Sequence, residues 1–419
     1  MQYEKKIEEI FERHPSVQVS GFNGRTYKAG IESMLAFDAA LGHPWKSFPC
    51  IHVAGTNGKG SVSSMLAAAL AARGLRVGLF TSPHLIDFRE RIKLISPLPR
   101  RGRQGLQEQV GHPNLISKEE VLEFLERYDE EINELSFFEI TTGMAMWWFE
   151  KEKVDVAVIE VGLGGRLDST NVITPILSVV TSIGLDHCAM LGDTRAEIAR
   201  EKAGIFKNNV PALVWEHDKE TDEVFEKYAE EVGAQLHFAD EMVRTVHLDG
   251  MDLRGEYQDA NVRTVLAAMK LLGIEADLDA LRNTAKITGL RGRWEILQEN
   301  PTVICDIGHN PAALARNFRQ LEESGKPLII VYGIMADKAL DDIAPLMPSA
   351  ARYILCSPAT PRALPVAELF SRLSALRPDL NLQTANSVSD AVQTALLLAS
   401  LDSIIYIGGS TFVVAEILQ

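Results

Sequence analysis

The stretch from Ala54 to Ser61, AGTNGKGS, combines residue types that bind phosphate. Glycines that join a strand to a helix let successive backbone N–H groups point at an anion, and the positive end of the helix adds to the attraction. A lysine there would bind the outer phosphates of a nucleotide, and a hydroxyl on the first helical turn would bind phosphate or Mg²⁺. The sequence therefore predicts a phosphate loop made of Thr56, Asn57, Gly58, Lys59, Gly60 and Ser61.

Gly60 distinguishes this loop from the usual pattern, in which Ser or Thr directly follows the lysine. We interpret the stretch as a variant loop in which Ser61 supplies the delayed hydroxyl. The alternative is an ordinary glycine turn, which would need neither Asn57 nor Lys59 at its tip.

Three further polar residues lie near the ends of predicted elements. Glu160 ends the run VDVAVIE, where a carboxylate can reach the metal of a nucleotide, and the alternative is an ion pair with Arg166. His187 follows the next run and would contact metal or phosphate, although a single histidine is often structural. Lys202 lies on the next predicted helix, where a lysine is usually a solvated charge. The glycines of GLGGRLDSTN do not form a dinucleotide-binding pattern, because Leu167 occupies the position of the third glycine.

Two series of apolar runs and helical patterns must position these residues. The runs of the first series are continuous, as in strands buried on both faces of a parallel sheet: CIHVAG, RVGLF, VDVAVIEVG and ILSVVTSIG. Those of the second are TVICDIG, PLIIVYG, ARYILCS and SIIYIGG. Helical patterns separate the runs, at 61–73, 118–133, 137–151, 257–272, 312–323, 365–375 and 387–400.

We therefore predict an α/β protein with two domains. The first, residues 1–292, is a doubly wound and mostly parallel sheet that carries the phosphate loop. The second, residues 293–419, is a smaller Rossmann-like α/β domain. The segment from Ser96 to Leu115 is rich in Pro, Gly, Gln and Arg, which predicts an exposed loop.

Composition excludes several functional classes. The 419 residues carry a formal charge of -15, which repels phosphate backbones and anionic membranes, so we expect no nucleic-acid or membrane partner. The cysteines Cys50, Cys188, Cys305 and Cys356 lack paired or metal-ligand spacing, which is typical of free thiols in a reducing compartment. The first residues predict an amphipathic helix and not a signal peptide, and no long uncharged apolar run occurs. We expect a cytoplasmic location.

A set of motifs, taken in order along the chain, resembles the bacterial folylpolyglutamate synthase and dihydrofolate synthase family. This family belongs to the Mur ligase superfamily of ATP-dependent amide-forming enzymes. The resemblance also implies that Gly60 is a family trait. The motifs are HVAGTNGKGS, TSPHL, FFEITT, VIEVGLGGRLDSTN, SIGLDH, LGDT, EKAGIFK, DIGHNP and GGSTF.

The resemblance implies a Mur-ligase-like fold and a ligase that adds L-glutamate to dihydropteroate, to reduced folates, or to both, through an acyl phosphate, with ATP as co-substrate. It implies two Mg²⁺ sites and a monomer. One ion would lie near Ser61, Ser82 and Glu160. The second would be held by His187 and by Lys202, whose amine is commonly carbamylated in this family. Together with Lys59, the residues Glu160, His187 and Lys202 form the implied catalytic set.

The resemblance assigns the remaining candidates with less support. Asn261 would contact adenine, although a surface helix position is the alternative, and Arg293 would reach the ATP phosphates. Asp306 would contact the nucleotide or the linker between the domains. The incoming glutamate would bind at His309 and Ser410. The pterin pocket would include His84, Leu85, Phe137 and Phe138, and core packing is an equal alternative for Phe138.

Two other functions stay open at this point. Another Mur-superfamily ligase is disfavoured by TSPHL and GKGS, and a P-loop NTPase without ligase activity would need neither His309 nor Ser410. The main departure from the family pattern is the segment that follows DFRERIKL, on the pteroate side. The residues do not separate dihydrofolate synthase from folylpolyglutamate synthase, and we expect a bifunctional enzyme.

Overall fold

The computed structural model describes residues 2–21, 30–98, 113–244 and 246–419. These residues form two compact units. The first unit comprises Met1–Asp252 and Gln258–Leu290, and the second comprises Leu253–Tyr257 and Arg291–Gln419. A short segment therefore leaves the first unit, belongs to the second, and returns. The domain boundary between residues 292 and 293 stays a prediction.

The first unit is built on an eight-stranded sheet with the order β4-β3-β2-β5-β1-β6-β7-β8. Its strands are parallel except that β3 pairs antiparallel with β2 and with β4. β1 lies at the centre between β5 and β6, which brings the end of the strand before the phosphate loop beside the ends of two others. The strands are β1 Cys50–Ala54, β2 Val77–Phe80, β3 Ile92–Ile95, β4 Asn114–Leu115, β5 Val156–Glu160, β6 Leu177–Val180, β7 Pro211–Val214 and β8 Gln235–Phe238.

Helices cover both faces of this sheet, and their starts follow local capping chemistry. Ser117, Ser136 and Thr194 each begin a helix with a capping box, in which the hydroxyl and a glutamate three residues later satisfy free backbone N–H groups. The helices are α1 Gln2–Arg13, α2 Val17–Ser20, α3 Glu32–Ala40, α4 Lys59–Ala71, α5 Lys118–Arg127, α6 Phe137–Lys151, α7 Cys188–Leu191, α8 Arg195–Ala203, α9 Asp222–Val232, α10 Ala239–Met242, α11 Gln258–Leu271, α12 Leu278–Arg282 and α13 Thr284–Thr288.

The second unit has a six-stranded sheet with the order β13-β12-β11-β14-β10-β9, in which only β9 is antiparallel. Its strands are β9 Glu295–Glu299, β10 Thr302–Cys305, β11 Leu328–Tyr332, β12 Arg352–Leu355, β13 Asn381–Thr384 and β14 Ile404–Gly408. Its helices are α14 Pro311–Glu323, α15 Leu340–Ile343, α16 Val366–Leu376, α17 Val388–Leu398 and α18 Thr411–Leu418. Separate apolar clusters cover the two faces of the sheet, as a doubly wound fold requires.

The predicted fold class is confirmed, with differences in detail. The helical pattern at 118–133 is shorter than predicted, because α5 ends at Arg127. Most of the predicted loop from Ser96 to Leu115 lies outside the described residues, and its last two residues form β4. Among the helices that are described, none is long and apolar enough to span a membrane. All four cysteines fall in the described ranges, and none of them forms a disulfide.

Candidate functional site

The phosphate loop joins β1 to α4 and is fixed from one side by the segment that follows β6. Gly58 begins α4 in a left-handed conformation with φ of 90°, which favours glycine. The hydroxyl of Thr181 donates to the carbonyl of Asn57 at 2.7 Å, and the amide of Thr56 donates to the carbonyl of Ser182 at 2.7 Å. These hydrogen bonds give the loop a defined shape, unlike a flexible glycine turn.

Asn261 packs against this loop from α11. A Cβ atom added at Gly58 would lie 2.5 Å from Asn261 Oδ1, so a larger residue at 58 would displace the amide. The amide of Asn261 donates to Gln258 at 2.8 Å, and Gln258 in turn donates to the Ser61 hydroxyl at 3.4 Å. Asn261 is 4% exposed, so the surface-residue alternative is wrong. Its contact with adenine stays a prediction.

Two lysine amines meet at the carbonyl oxygen of Gly55. Lys59 Nζ donates to it at 3.1 Å, and Lys202 Nζ donates to it at 2.8 Å from the last turn of α8. Lys59 also donates to the carbonyl of Thr56 at 3.3 Å. The structure therefore places two lysine amines beside the predicted phosphate loop.

Lys202 is buried, with 3% of its surface exposed, so the alternative of a solvated charge is wrong. Burial, reinforced by repulsion from Lys59, lowers the pKa of Lys202 to about 7, against the opposing attraction of Asp186 and Asp168. A lysine with this pKa is partly neutral near pH 7. It can therefore act as a nucleophile toward CO₂, which a fully protonated amine cannot do.

Glu160 ends β5 close to the phosphate loop and is 3% exposed. Its carboxylate accepts a hydrogen bond from the amide of Ser82 at 3.0 Å, so these two candidate metal-binding residues are adjacent. Arg166, the alternative partner for Glu160, donates to Glu201 Oε1 at 3.0 and 2.8 Å. Burial lowers the pKa of Arg91 to about 10, and the attraction of Glu160 opposes this shift.

His187 directly precedes α7, in a left-handed conformation with φ of 55°. Its amide donates to Asp186 at 3.0 Å, and its Nε2 atom lies 3.9 Å from the same carboxylate. His187 thus extends from the row of loops that follows the parallel strands, as predicted. Its contact with metal or phosphate stays a prediction.

The four pterin-pocket candidates fall into two environments. His84 Nδ1 accepts a hydrogen bond from Arg91 Nε at 2.8 Å, and burial together with Arg91 lowers the pKa of His84 to about 3, so the ring is neutral with its proton on Nε2. Leu85 begins the short turn beside it, with its amide donating to Glu90 at 2.8 Å. Phe137 is 5% exposed and belongs to the apolar core of this unit.

Phe138 is only partly buried. Its ring covers the backbone at Gly162, where an added Cβ would lie 2.5 Å from the ring, and it tilts against Phe80 with ring centroids 5.8 Å apart. The ring therefore packs on β2 and on the turn after Glu160. Both the core and the pocket interpretation of Phe138 remain compatible with this position.

Asp306 is the most heavily bonded of the candidates in the second unit. Its two carboxylate oxygens accept from the Tyr257 hydroxyl at 2.7 Å, the Trp294 amide at 2.8 Å, the Gly308 amide at 2.7 Å and the Asn317 amide group at 2.7 Å. Tyr257 and Trp294 lie in the two segments that enter this unit. The geometry thus favours the linker contact, and the ATP contact of Asp306 stays a prediction.

Two of the three remaining candidates of this unit lie after neighbouring parallel strands, and the third, Arg293, precedes β9. His309 follows β10 and Ser410 follows β14, so both lie at the carboxyl-terminal edge of the sheet, where ligands bind in open α/β folds. His309 Nδ1 is 3.0 Å from the carbonyl of Ile307, and the Ser410 hydroxyl caps α18 by accepting from Phe412 at 3.1 Å. Arg293 Nη1 donates to the carbonyls of residues 291 and 292.

Sequence reasoning gave no role to three polar residues near these candidates, of which Asp168 and Gln258 are buried and Asp186 is partly exposed. Asp186 and Asp168 both act on Lys202, and Gln258 links Asn261 to Ser61. The signal was present for Asp168, which lies inside the quoted motif GLGGRLDSTN. The contact of Gln258 with Ser61 could not have been predicted, because Ser61 is remote in sequence.

Comparison with known proteins decides the family. Residues 53–253 match the Mur ligase middle domain, and residues 292–411 match the Mur ligase glutamate ligase domain. The chain is 32% identical to dihydrofolate synthase/folylpolyglutamate synthase of Escherichia coli, over 96% of this chain and 93% of that protein. The chain belongs to the folylpolyglutamate synthase/dihydrofolate synthase family of the Mur ligase superfamily. The predicted family and enzyme class, an ATP-dependent ligase, are confirmed.

Solved structures of this family are also similar in fold. E. coli FolC in complex with DHPP and ADP is 28% identical with a TM-score of 0.82, over 99% of this chain and 96% of that one. Mycobacterium tuberculosis folylpolyglutamate synthase complexed with ADP is 27% identical with a TM-score of 0.82, over 100% of this chain and 97% of that one. A bifunctional family member with Mn, AMPPNP and L-glutamate bound is 29% identical with a TM-score of 0.78, over 94% of each chain.

Relatives differ in length. The chain spans 48% of a probable bifunctional folylpolyglutamate synthase/dihydropteroate synthase of Haloferax volcanii, to which it is 32% identical over 93% of its own residues. It therefore spans about half the length of that relative and almost all of the E. coli relative.

Proposed function

We propose that this chain joins L-glutamate to dihydropteroate and to reduced folates, with ATP as co-substrate. The observation that carries the proposal is the meeting of Lys59 and Lys202 at the carbonyl of Gly55, beside the predicted phosphate loop. A simple nucleotide switch has no need of a second, buried lysine at that position. Relatives named dihydrofolate synthase/folylpolyglutamate synthase support the same substrates here.

The chemistry explains why cations are needed at this site. A carboxylate forms an amide at neutral pH only after activation. In the first step, the substrate carboxylate oxygen attacks the γ-phosphorus of ATP and ADP leaves. The nitrogen of L-glutamate then attacks the acyl carbon, releasing phosphate and a proton. Both reactants of the first step are anions, so positive charge at the site lowers the barrier. Lys59 would hold the outer phosphates during this transfer.

The candidate metal-binding residues fit Mg²⁺. Mg²⁺ is usually bound by one or two carboxylates together with phosphate oxygens and water, and Glu160 with Ser61 and Ser82 supplies hard oxygen donors of this kind. Within the described ranges, no three His, Cys, Asp or Glu side chains are grouped as metal ligands. Bound Mg²⁺ would neutralise phosphate charge. The AMPPNP and Mn complexes of related enzymes support a divalent metal.

His187 and Lys202 would hold the second ion. As an ammonium group, Lys202 would repel a cation, whereas its carbamate would present anionic oxygens. The lowered pKa of Lys202, about 7, and its burial beside Gly55 favour the neutral amine from which the carbamate forms. Carbamylation of Lys202 is thus part of the proposal.

The other substrates are assigned to residues with matching chemistry. We propose that neutral His84 donates from Nε2 to the pterin, that Leu85 and Phe138 line its flat ring, and that Phe137 supports them from the core. In the second unit, His309 and Ser410 would bind L-glutamate and Arg293 would reach the ATP phosphates. Asn261 would contact adenine. A monomeric state and a cytoplasmic location also remain predictions.

The function is tested by measuring the ADP that the purified protein releases when it is supplied with Mg·ATP and L-glutamate. Dihydropteroate, tetrahydrofolate and a Mur-type nucleotide-linked peptide are supplied in parallel. We expect release with both pterins, which defines a bifunctional enzyme. Release with dihydropteroate alone would reduce the proposal to dihydrofolate synthase. Release with the peptide substrate and with neither pterin would refute it.

A further inference from the structure

We propose that the loop from Gly162 to Asn171 is a positioning element that sets the place of the Lys202 amine. This inference rests on the proposed function, in which Lys202 holds a metal ion. The loop is the whole of the segment GLGGRLDSTN, and the proposed reaction gives a role only to Glu160, which lies two residues before it. Its residues contact the last turn of α8, on which Lys202 lies, and they belong to the same unit.

The backbone of the loop touches the backbone of α8 directly on both sides of Lys202. A Cβ atom added at Gly165 would lie 2.8 Å from the carbonyl oxygen of Glu201 and 3.0 Å from that of Lys202. A Cβ atom added at Gly204 would lie 2.4 Å from the Cα atom of Arg166. Neither position leaves room for a side chain, so both glycines are required by close approach and not by an unusual φ.

Hydrogen bonds join the same two segments. The amide of Arg166 donates to the carbonyl of Glu201 at 2.8 Å, which satisfies one of the helix carbonyls that has no partner within α8. The side-chain amide of Asn171 donates to the carbonyls of Arg166 and Gly204, each at 3.0 Å. The residues directly before and shortly after Lys202 are thus bound to the loop.

Asp168 holds the loop in shape. Its carboxylate is 5% exposed and accepts from the amide of Leu163 at 2.9 Å and from the amide of Thr170 at 3.0 Å. The hydroxyl of Thr170 lies between this carboxylate and His52, whose Nε2 atom is 2.8 Å away. Because His52 lies in β1, the loop is connected to the strand that precedes Gly55.

These contacts have a consequence for the metal. The last turn of α8 cannot shift without breaking contacts on both sides, so the Lys202 amine keeps its place 2.8 Å from the Gly55 carbonyl. A metal ligand must be held within about half an ångström of its working position, and loss of the residues that orient a ligand commonly costs about 10- to 100-fold in metal affinity. Gly165, Asp168 and Asn171 would supply that constraint.

The inference is tested by measuring how tightly the protein binds Mn²⁺ in the presence of AMPPNP. Electron paramagnetic resonance reports the concentration of free Mn²⁺, so the measurement does not depend on turnover. We expect the wild type to bind two ions and Gly165→Ala to keep the first while its affinity for the second falls about 10-fold or more. Gly78→Ala is the matched control, because its Cβ would approach the ring of Phe149 at 2.8 Å, remote from α8, and neither glycine has a positive φ. We expect it to lose stability and keep both ions.

Each outcome of this binding experiment either supports or overturns the inference. Unchanged binding of both ions in folded Gly165→Ala overturns the inference, and so does an equal loss of the second ion in Gly78→Ala. If Gly165→Ala does not fold, Asn171→Ala decides: a weaker second ion supports the inference, and wild-type binding contradicts it. The proposed function fails separately, if the wild type releases no ADP with either pterin.

Discussion

Replacement of Asp306 gives the sharpest stability test, because this carboxylate accepts from four donors in the second unit. A buried donor left without its acceptor costs about 1–3 kcal/mol. Neighbouring groups relax and water fills part of the space, so for Asp306→Ala we expect about 4 kcal/mol, the lower end of the sum over four donors. Asp306→Asn, whose amide nitrogen would face donors, should cost about 2 kcal/mol.

Tyr257→Phe removes one of these bonds. The pKa of Tyr257 is raised well above its usual value by burial and by Asp306, so the hydroxyl is a donor at every ordinary pH. We expect a loss of about 1 kcal/mol in the wild type and almost none in the Asp306→Ala background, because the acceptor is already absent. Tyr353→Phe is the control. Its hydroxyl donates to the carbonyl of Pro348 at 2.9 Å, and it should cost about 1 kcal/mol in both backgrounds.

Urea-dependent hydrogen exchange of peptides from the second unit measures these losses. With an m-value of about 2 kcal/mol/M, the midpoint should fall by about 2 M for Asp306→Ala and by about 0.5 M for Tyr257→Phe. An equal cost of Tyr257→Phe with and without Asp306 would refute the account. A large rise in the KM for ATP in Asp306→Asn, with stability unchanged, would instead favour the nucleotide contact.

Three predictions concern the reaction. Lys59→Ala should abolish ATP turnover and leave thermal unfolding unchanged, because the Lys59 amine donates to the loop carbonyls of Gly55 and Thr56 and not to the core. Normal turnover would exclude the phosphate-loop role. Lys202→Ala should be inactive, and short carboxylates should partly restore its activity. In the wild type, activation by bicarbonate should increase as pH rises through about 7, where the Lys202 amine loses its proton. Activation that is independent of pH would contradict the carbamate. His309→Ala should raise the KM for L-glutamate more than that for ATP in ADP-release kinetics, and equal changes would remove His309 from the glutamate site.

Much of the fold could be predicted because its central strands are continuous apolar runs. β1, β5, β6, β11 and β14 all coincide with such runs. The strands that were missed lie at or next to the sheet edges. β8 reads QLHF and β13 reads NLQT, which are mixed patterns with exposed positions. β3 reads IKLI and β7 reads PALV, and although both are largely buried, a lysine and a proline interrupt their apolar runs. The start of α6 was predicted at the correct residue, and in the structure Ser136 and Glu139 form a capping box there.

The site was predictable only where one segment supplies its chemistry. The phosphate loop is local, and its glycines, lysine and serine are consecutive. Burial of Lys202 was not predictable, because the carbonyl that it contacts belongs to Gly55. Asp306 shows the same limit, since Tyr257 and Asn317 reach it from opposite directions along the chain. Contacts between distant segments depend on the folded structure, and no local pattern encodes them.

The strand order of the second unit has a consequence for biosynthesis. β14 lies between β10 and β11, although both precede it in the chain, so these two strands have no direct ladder with each other. During translation, the edges of β10 and β11 that pair with β14 stay unpaired until residues 404–408 leave the ribosome. Non-local pairing of this kind is slow, and exposed strand edges are prone to aggregation. We therefore expect nascent chains that end before β14 to depend on chaperones, whereas chains that have passed it can complete the sheet.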